Sequence, residues 1–191
     1  MFTGIVKSIG SVEALKDDRL IISTDDESFI NLEKGTSIAI DGCCLTLKDY
    51  INNNLLFQIS DETISRTSLN LDHCGFVNME LPLTANSFLS GHIVQGHVDA
   101  VIKLEAIEKL DNELWNFYFK NADHKYIVDK GSITLNGISL TVVNPEKDTF
   151  SVAVIEETYR RTNLQYLKVN NSINVEYDIV IKYLEKLNYD K

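Results

Sequence analysis

Asp41-Gly42-Cys43-Cys44-Leu45-Thr46 and Asn136-Gly137-Ile138-Ser139-Leu140-Thr141 are two versions of one hexapeptide, 95 positions apart (137 minus 42). The same offset separates Glu62-Thr63-Ile64-Ser65-Arg66-Thr67-Ser68-Leu69 from Glu157-Thr158-Tyr159-Arg160-Arg161-Thr162-Asn163-Leu164. Val77-Asn78-Met79-Glu80 answers to Ile173-Asn174-Val175-Glu176 at 96, and Gly4-Ile5-Val6 to Gly96-His97-Val98 at 92. Lys34-Gly35-Thr36-Ser37-Ile38 matches Lys130-Gly131-Ser132-Ile133 with a slip of one residue, which makes Lys34 the counterpart of Lys130. Five ordered echoes mean an internal duplication.

Within each copy the pattern is β. Arg19-Leu20-Ile21-Ile22-Ser23, Ser37-Ile38-Ala39-Ile40, Leu45-Thr46-Leu47 and Leu55-Leu56-Phe57-Gln58-Ile59 are short apolar runs separated by Asp, Asn, Gly and Ser. Strands at this spacing predict a small closed barrel rather than βαβ units. Glu62 to Thr67 and Glu157 to Thr162 read as single helical turns between strands. The boundary between copies falls between Leu83 and Ser90, giving units 1–86 and 87–178. A segment 179–191 follows, with Ile179, Tyr183, Leu184 and Leu187 at helical spacing. That stripe needs a partner, which is either a second copy of the chain or the chain's own barrel.

Composition narrows the function. A hydrophobic fraction of 44%, a charged fraction of 24%, two prolines and nine glycines describe a folded globular chain. The net charge of -10 argues against a general nucleic-acid or anionic-membrane surface. No uncharged apolar run of membrane-spanning length occurs, and a cytoplasmic location is expected. Cys43, Cys44 and Cys74 make a poor disulfide framework, and His73, His92, His97 and His124 are too scattered to mark a metal site.

The two copies differ where chemistry would need them to. Cys44 stands opposite Ser139, and Ile5 opposite His97. A thiol replaces a hydroxyl in one case, and a proton-relaying imidazole replaces an inert side chain in the other. Cys44 with Thr46, and Ser139 with Thr141, each share a strand face, while Cys43 points to the opposite one. Taken alone, Cys44 and His97 read more readily as packed strand residues. Glu62 with Thr67, and Glu157 with Thr162, suit a polyol, though helix capping with a solvated Glu explains them as well. Arg66 and Arg161 read as partners of local carboxylates.

Met1-Phe2-Thr3-Gly4-Ile5-Val6, Asp41-Gly42-Cys43-Cys44-Leu45-Thr46, Ser90-Gly91-His92-Ile93-Val94-Gln95-Gly96-His97-Val98-Asp99 and Asn136-Gly137-Ile138-Ser139-Leu140-Thr141, in this order, closely resemble the riboflavin synthase family. The resemblance covers practically the whole chain. It implies two tandem six-stranded Greek-key β-barrels and a C-terminal α-helix through which three chains assemble. Each repeat would bind one 6,7-dimethyl-8-ribityllumazine, two per active site. That site would lie between the N-terminal barrel of one subunit and the C-terminal barrel of its neighbour.

The reaction implied is conversion of two lumazines into riboflavin and 5-amino-6-(D-ribitylamino)uracil, without metal or organic cofactor. Association with lumazine synthase in a larger capsid is a further possibility it raises. By the same resemblance Phe2, Ser37, Cys44, His97, Ser139, Thr141 and Asp178 are catalytic. Ligand contacts are expected from Gly4, Ile5, Val6, Cys44, Leu45, Thr46, Glu62, Thr67, Gly96, His97, Val98, Lys130, Ser139, Leu140, Thr141, Glu157 and Thr162. Phe2 would tuck beside the ligand. Lys130 would stabilise a deprotonated lumazine, although a plain surface lysine is an equal reading; Asp178 equally fits the N-cap of the terminal helix.

Two rival functions share this fold. Antenna proteins of this fold bind lumazine or flavin without turnover, and are expected to lose the reactive set that this chain retains. The flavin-binding barrel of an oxidoreductase would need a nucleotide-binding domain, for which no Gly-rich strand-to-helix signature is present. If Cys44/Ser139 and Ile5/His97 set the roles of the two ligands, a Cys44→Ser, Ile5→His double variant loses turnover in a steady-state assay. Normal turnover contradicts the asymmetry.

Overall fold

The computed structural model describes residues 1–70, 74–111 and 113–189. His73 and the last two residues of the expected terminal segment lie outside them. Among the described residues, the first copy forms β1 (Ser8–Lys16), β2 (Arg19–Ser23), β3 (Ser37–Ile40), β4 (Cys43–Ile51), β5 (Asn54–Gln58), α1 (Asp61–Arg66) and β6 (Phe76–Glu80). The second forms β7 (Ala100–Leu110), β8 (Leu114–Lys120), β9 (Ser132–Leu135), β10 (Ile138–Val143), β11 (Thr149–Ile155), α2 (Glu156–Arg161) and β12 (Ser172–Tyr177). The helix α3 (Ile179–Tyr189) follows.

Each set of six antiparallel strands closes into a barrel, in the orders β1-β2-β5-β4-β3-β6 and β7-β8-β11-β10-β9-β12. Closure leaves no sheet edge to protect. Alternation along the strands fills each interior: Leu20, Ile22, Ile38, Leu45, Leu47 and Phe57 in the first, and Leu104, Phe117, Phe119, Ile133, Leu140 and Val152 in the second.

Strand register corrects the one-residue slip. Gly35 N–H donates to Leu47 O at 2.8 Å and Lys130 N–H to Val142 O at 3.0 Å, so the offset stays at 95 (130 minus 35). Lys130 therefore occupies the place of Gly35, with φ +63° against +95°, and Asp129 the place of Lys34. Lys34 is not its counterpart; it pairs with Asp49 at 2.7 Å.

The barrels meet about a pseudo-twofold axis built from the two hairpin turns quoted at the outset. Asp41-Gly42 and Asn136-Gly137 both have two positive φ values, the turn geometry that Asp-Gly and Asn-Gly favour between strands. They touch back to back. A Cβ on Gly42 would lie 2.8 Å from Gly137 N, and one on Gly137 would lie 2.7 Å from Gly42 N.

Around this contact Asn78 Nδ2 donates to Asn136 O at 2.8 Å, and Asn174 Nδ2 to Asp41 O at 2.9 Å. Asn78 Oδ1 accepts from Asn163 N at 2.7 Å and Asn174 Oδ1 from Ser68 N at 2.6 Å. Each is a buried amide with partners on the opposite barrel, which fixes the relative orientation of the two.

One member breaks the symmetry. Asp41 is fully buried where its counterpart is Asn136, and desolvation pushes its carboxyl up to about 8 despite bonds from Asn78 N and Asn163 Nδ2. The folded state therefore holds this proton more tightly than the unfolded state. The stabilisation is complete below about pH 4 and is lost as pH rises through about 8. In Asp41→Asn, Oδ1 can still accept both bonds, so urea denaturation at pH 5 and pH 8 is expected to show the variant gaining on wild type at the higher pH. The slope approaches about 1.4 kcal/mol per pH unit inside that window. Parallel pH profiles for the two proteins contradict a buried, titrating Asp41.

Candidate active site

Two clefts stand at equivalent places, and each draws on both halves of the chain. The first, about 310 Å³, is lined by Cys43, Cys44, Ser60, Glu62, Thr63, Arg66 and Thr67 of the first half and by Gly96, His97 and Val98 of the second. The second, about 210 Å³, is lined by Ile138, Ser139, Glu157, Thr158, Arg161 and Thr162 of the second half and by Gly4, Ile5 and Val6 of the first.

The crossing is enforced by buried carboxylates. Glu176 at the end of β12 accepts from the backbone N–H of Gln95, Gly96 and His97 at 2.7, 2.8 and 2.9 Å. Gly96 O then accepts from Cys44 N, on the other barrel, at 2.8 Å. Glu80 at the end of β6 does the same for the chain start, taking Thr3 N, Thr3 Oγ1 and Gly4 N at 2.7, 2.7 and 2.9 Å. Gly4 O accepts from Ser139 N at 2.7 Å.

Burial pushes both carboxyls up, and the converging donors pull them back. The approach is so close that a Cβ on Gly96 or Gly4 would sit 2.6 Å from the Cβ of Cys44 or Ser139, and both glycines have positive φ.

Ile5 does not share a pocket with Cys44; it lies in the cleft of Ser139. Both reactive differences therefore fall in one place, with Cys44 and His97 together and Ser139 and Ile5 together. Cys43, by contrast, joins the first barrel's core, where burial pushes its thiol up to about 12 and keeps it protonated. The half-exposed neighbour is the chemically available one.

The remaining expected residues divide by position. Thr67 and Thr162 close their helices and line the clefts, with each Oγ1 donating to the carbonyl of Thr63 or Thr158 at 2.8 and 2.7 Å. Glu62 pairs with Arg66 at 3.0 Å and Glu157 with Arg161, at the cleft mouths. Thr46 and Thr141 are exposed just beyond Cys44 and Ser139, and Ser37 faces Thr46 across the ladder. Leu45 and Leu140 point into the barrel cores, so only their backbones face outward.

Phe2 is fully buried against Ala39 and Val94, with Cys44 lying on that cluster. Its backbone pairs with Val94, N to O at 2.7 Å and back at 3.1 Å. It supports the floor under Cys44 rather than lining the cleft, and its burial contributes roughly 2–3 kcal/mol. Lys130 lines neither cleft. Asp178 caps α3 by accepting from Val180 N at 2.9 Å, and also borders a cleft of about 130 Å³ between α3 and the second barrel.

His92 is a site residue that the sequence reading passed over. Its Nδ1 lies 2.7 Å from Ser139 Oγ and its Nε2 3.0 Å from Thr134 Oγ1. Burial lowers its tendency to charge, partly offset by the nearby Asp178 carboxylate. An imidazole between two hydroxyls can pass a proton to or from Ser139. The available signal was its place in the Ser90–Asp99 motif, five residues before His97.

Comparison with known proteins agrees with this geometry. The lumazine binding domain matches twice, over residues 3–82 and 95–178. Riboflavin synthase of Mycobacterium bovis is 37% identical over 98% of this chain and 98% of its own length. That of Actinobacillus pleuropneumoniae is 36% identical over 97% and 89%. The chain belongs to the riboflavin synthase family of lumazine-binding proteins. It is accordingly an enzyme, of transferase type. Among solved structures, LumP complexed with 6,7-dimethyl-8-(1'-D-ribityl) lumazine superposes with a TM-score of 0.80 at 26% identity, covering 92% of this chain and 98% of that one. LumP complexed with riboflavin gives 0.83 at 25%, covering 93% and 99%.

Because Cys44 and His97 meet in one cleft, Cys44→Ser with His97→Ile also makes the two clefts alike, and does so by removing both reactive groups. Fluorescence titration should show lumazine still bound, while turnover falls by about a hundredfold or more. Retained turnover contradicts a division of roles by these two residues.

Proposed function

We propose that the chain converts two molecules of 6,7-dimethyl-8-ribityllumazine into riboflavin and 5-amino-6-(D-ribitylamino)uracil, moving a four-carbon unit from one to the other. All atoms of the two substrates reappear in the two products, so the reaction balances without a further reactant. One lumazine must lose a proton from its C7 methyl group while the other is attacked at C7. Identical ligands thus need unlike surroundings. The observation that carries the reading is the gathering of Cys44 and His97 in one cleft, with Ser139 and Ile5 in the other.

In this reading the Cys44 thiol and His97 imidazole serve the ligand of the first cleft, and Ser139, relayed by His92, that of the second. Thr46, Thr141 and Ser37 extend the polar face on which the ring systems lie. Glu62, Thr67, Glu157 and Thr162 take the ribityl chains, and the backbones of Leu45 and Leu140 flank the rings. Lys130 and Asp178 reach the reacting ligands from a neighbouring subunit. Neither cleft is large enough to enclose two ligands, since pockets that bury even one small molecule span about 300–1,000 Å³. Facing clefts from two subunits would raise the effective concentration of one lumazine against the other.

A homotrimer through α3 is part of the proposal. Tyr183, Leu184 and Leu187 are 65%, 51% and 65% exposed, so the apolar stripe turns away from its own barrel, while Ile181 packs inward. A face of this kind supports burial against another copy. We also propose a cytoplasmic setting that keeps the three cysteines reduced, with association with lumazine synthase as a further step.

Purified protein incubated with the lumazine alone is expected to yield riboflavin and the pyrimidine in equal amounts, with two lumazines consumed per riboflavin by chromatography. An antenna role is the alternative that the LumP structures raise. Tight, fluorescent lumazine binding without product would establish it and overturn the enzymatic reading.

A further inference from the structure

The segment carrying His97 is held twice, and among the described residues the second hold has no counterpart at Ile5. Glu176 takes the N–H groups of residues 95–97, as Glu80 takes those at Thr3 and Gly4. Two residues beyond His97, Asp99 Oδ2 accepts from Tyr177 N at 2.9 Å, and the Lys182 ammonium of α3 lies 3.0 and 2.8 Å from Oδ1 and Oδ2. The repeat partner of Asp99 is Lys7 (99 minus 92), and α3 lies outside both copies. Among the described residues, only the Cys44 cleft therefore has its crossing segment tied to the terminal helix.

An exposed ion pair contributes little, because water and side-chain entropy compete with it. This pair differs. The Lys182 and Asp99 side chains are only 20% and 27% exposed, the ammonium meets both oxygens, and one oxygen is already fixed by a backbone donor. The same charge acts on Glu176, opposing the upward push of burial on that carboxyl. Lys182 thus binds Asp99 directly, and its charge acts on Glu176, the carboxylate that holds the N–H groups of residues 95–97.

We infer that Lys182 is a positioning residue for the transfer reaction, holding His97 beside Cys44 through Asp99. The inference rests on the function proposed above. It links the helix that carries the exposed apolar stripe to the cleft of the opposite barrel, so that packing of α3 sets the placement of the imidazole. A misplaced proton-relaying group slows chemistry more than it weakens binding.

The test is a double-mutant cycle in the full-length protein, with steady-state kinetics and sedimentation. Lys182→Met, which keeps the aliphatic stem, is expected to lower kcat about tenfold with KM and assembly mass unchanged. Lys182→Arg restores most of the loss. In a His97→Gln background, Lys182→Met adds no further loss, because both substitutions remove one function. Losses that multiply in the two backgrounds, full activity of Lys182→Met, or a loss that appears only with dissociation of the assembly would each overturn the inference. Wild-type protein that makes no riboflavin would remove the proposed function and this role with it, which an active wild type with multiplying losses would not.

Discussion

Two buried carboxylates, Glu80 and Glu176, hold the arrangement on which the site depends. Each lies in the last pleat of its barrel's final strand and gathers successive backbone donors from the segment just before that barrel's first strand. The segment is thereby held extended across the opposite barrel, where its glycine carbonyl meets the amide of Ser139 or Cys44. Without that grip, Gly4 to Val6 and Gly96 to Val98 would lose the buried acceptor that gathers their N–H groups. With it, they become walls of clefts whose floors belong to the other half.

Duplication supplies the symmetry and its breaks supply the chemistry. The Gly42–Gly137 contact and the amides of Asn78 and Asn174 make the barrel pair nearly twofold, which presents two equivalent clefts. Crossing of the segments then concentrates the differences. Had each barrel kept its own entry segment, Cys44 would sit with Ile5 and Ser139 with His97, and the thiol and the imidazole would lie in different clefts. Instead one cleft holds the thiol and the imidazole, and the other holds a hydroxyl served by His92 from behind.

Much of this was legible before any coordinates. The repeat, the barrels, the helical turns at Glu62 and Glu157, and the opposite facing of Cys43 and Cys44 follow from period-two alternation and fixed offsets. The crossing did not, for a physical reason: a repeat states which residues are equivalent, never which are adjacent. Val77–Glu80 and Ile173–Glu176 were read only as echoes, yet they carry the asparagines of the barrel interface and the glutamates that fix the clefts. Local likeness also misaligned Lys34 with Lys130, because a Lys-Gly pair recurs one position off the ladder register. The stripe on α3 was readable as apolar, but its outward direction is set by Ile181 and Lys182 docking on the second barrel.

The central claim is that each ligand cleft is shared between the halves of the chain, with Cys44 and His97 in one. A crystal structure of the protein with 6,7-dimethyl-8-ribityllumazine bound tests it most directly. The account predicts one ring system in contact with both Cys44 and His97, and another in contact with both Ser139 and Ile5. A lumazine touching Cys44 together with Ile5, or Ser139 together with His97, would contradict it.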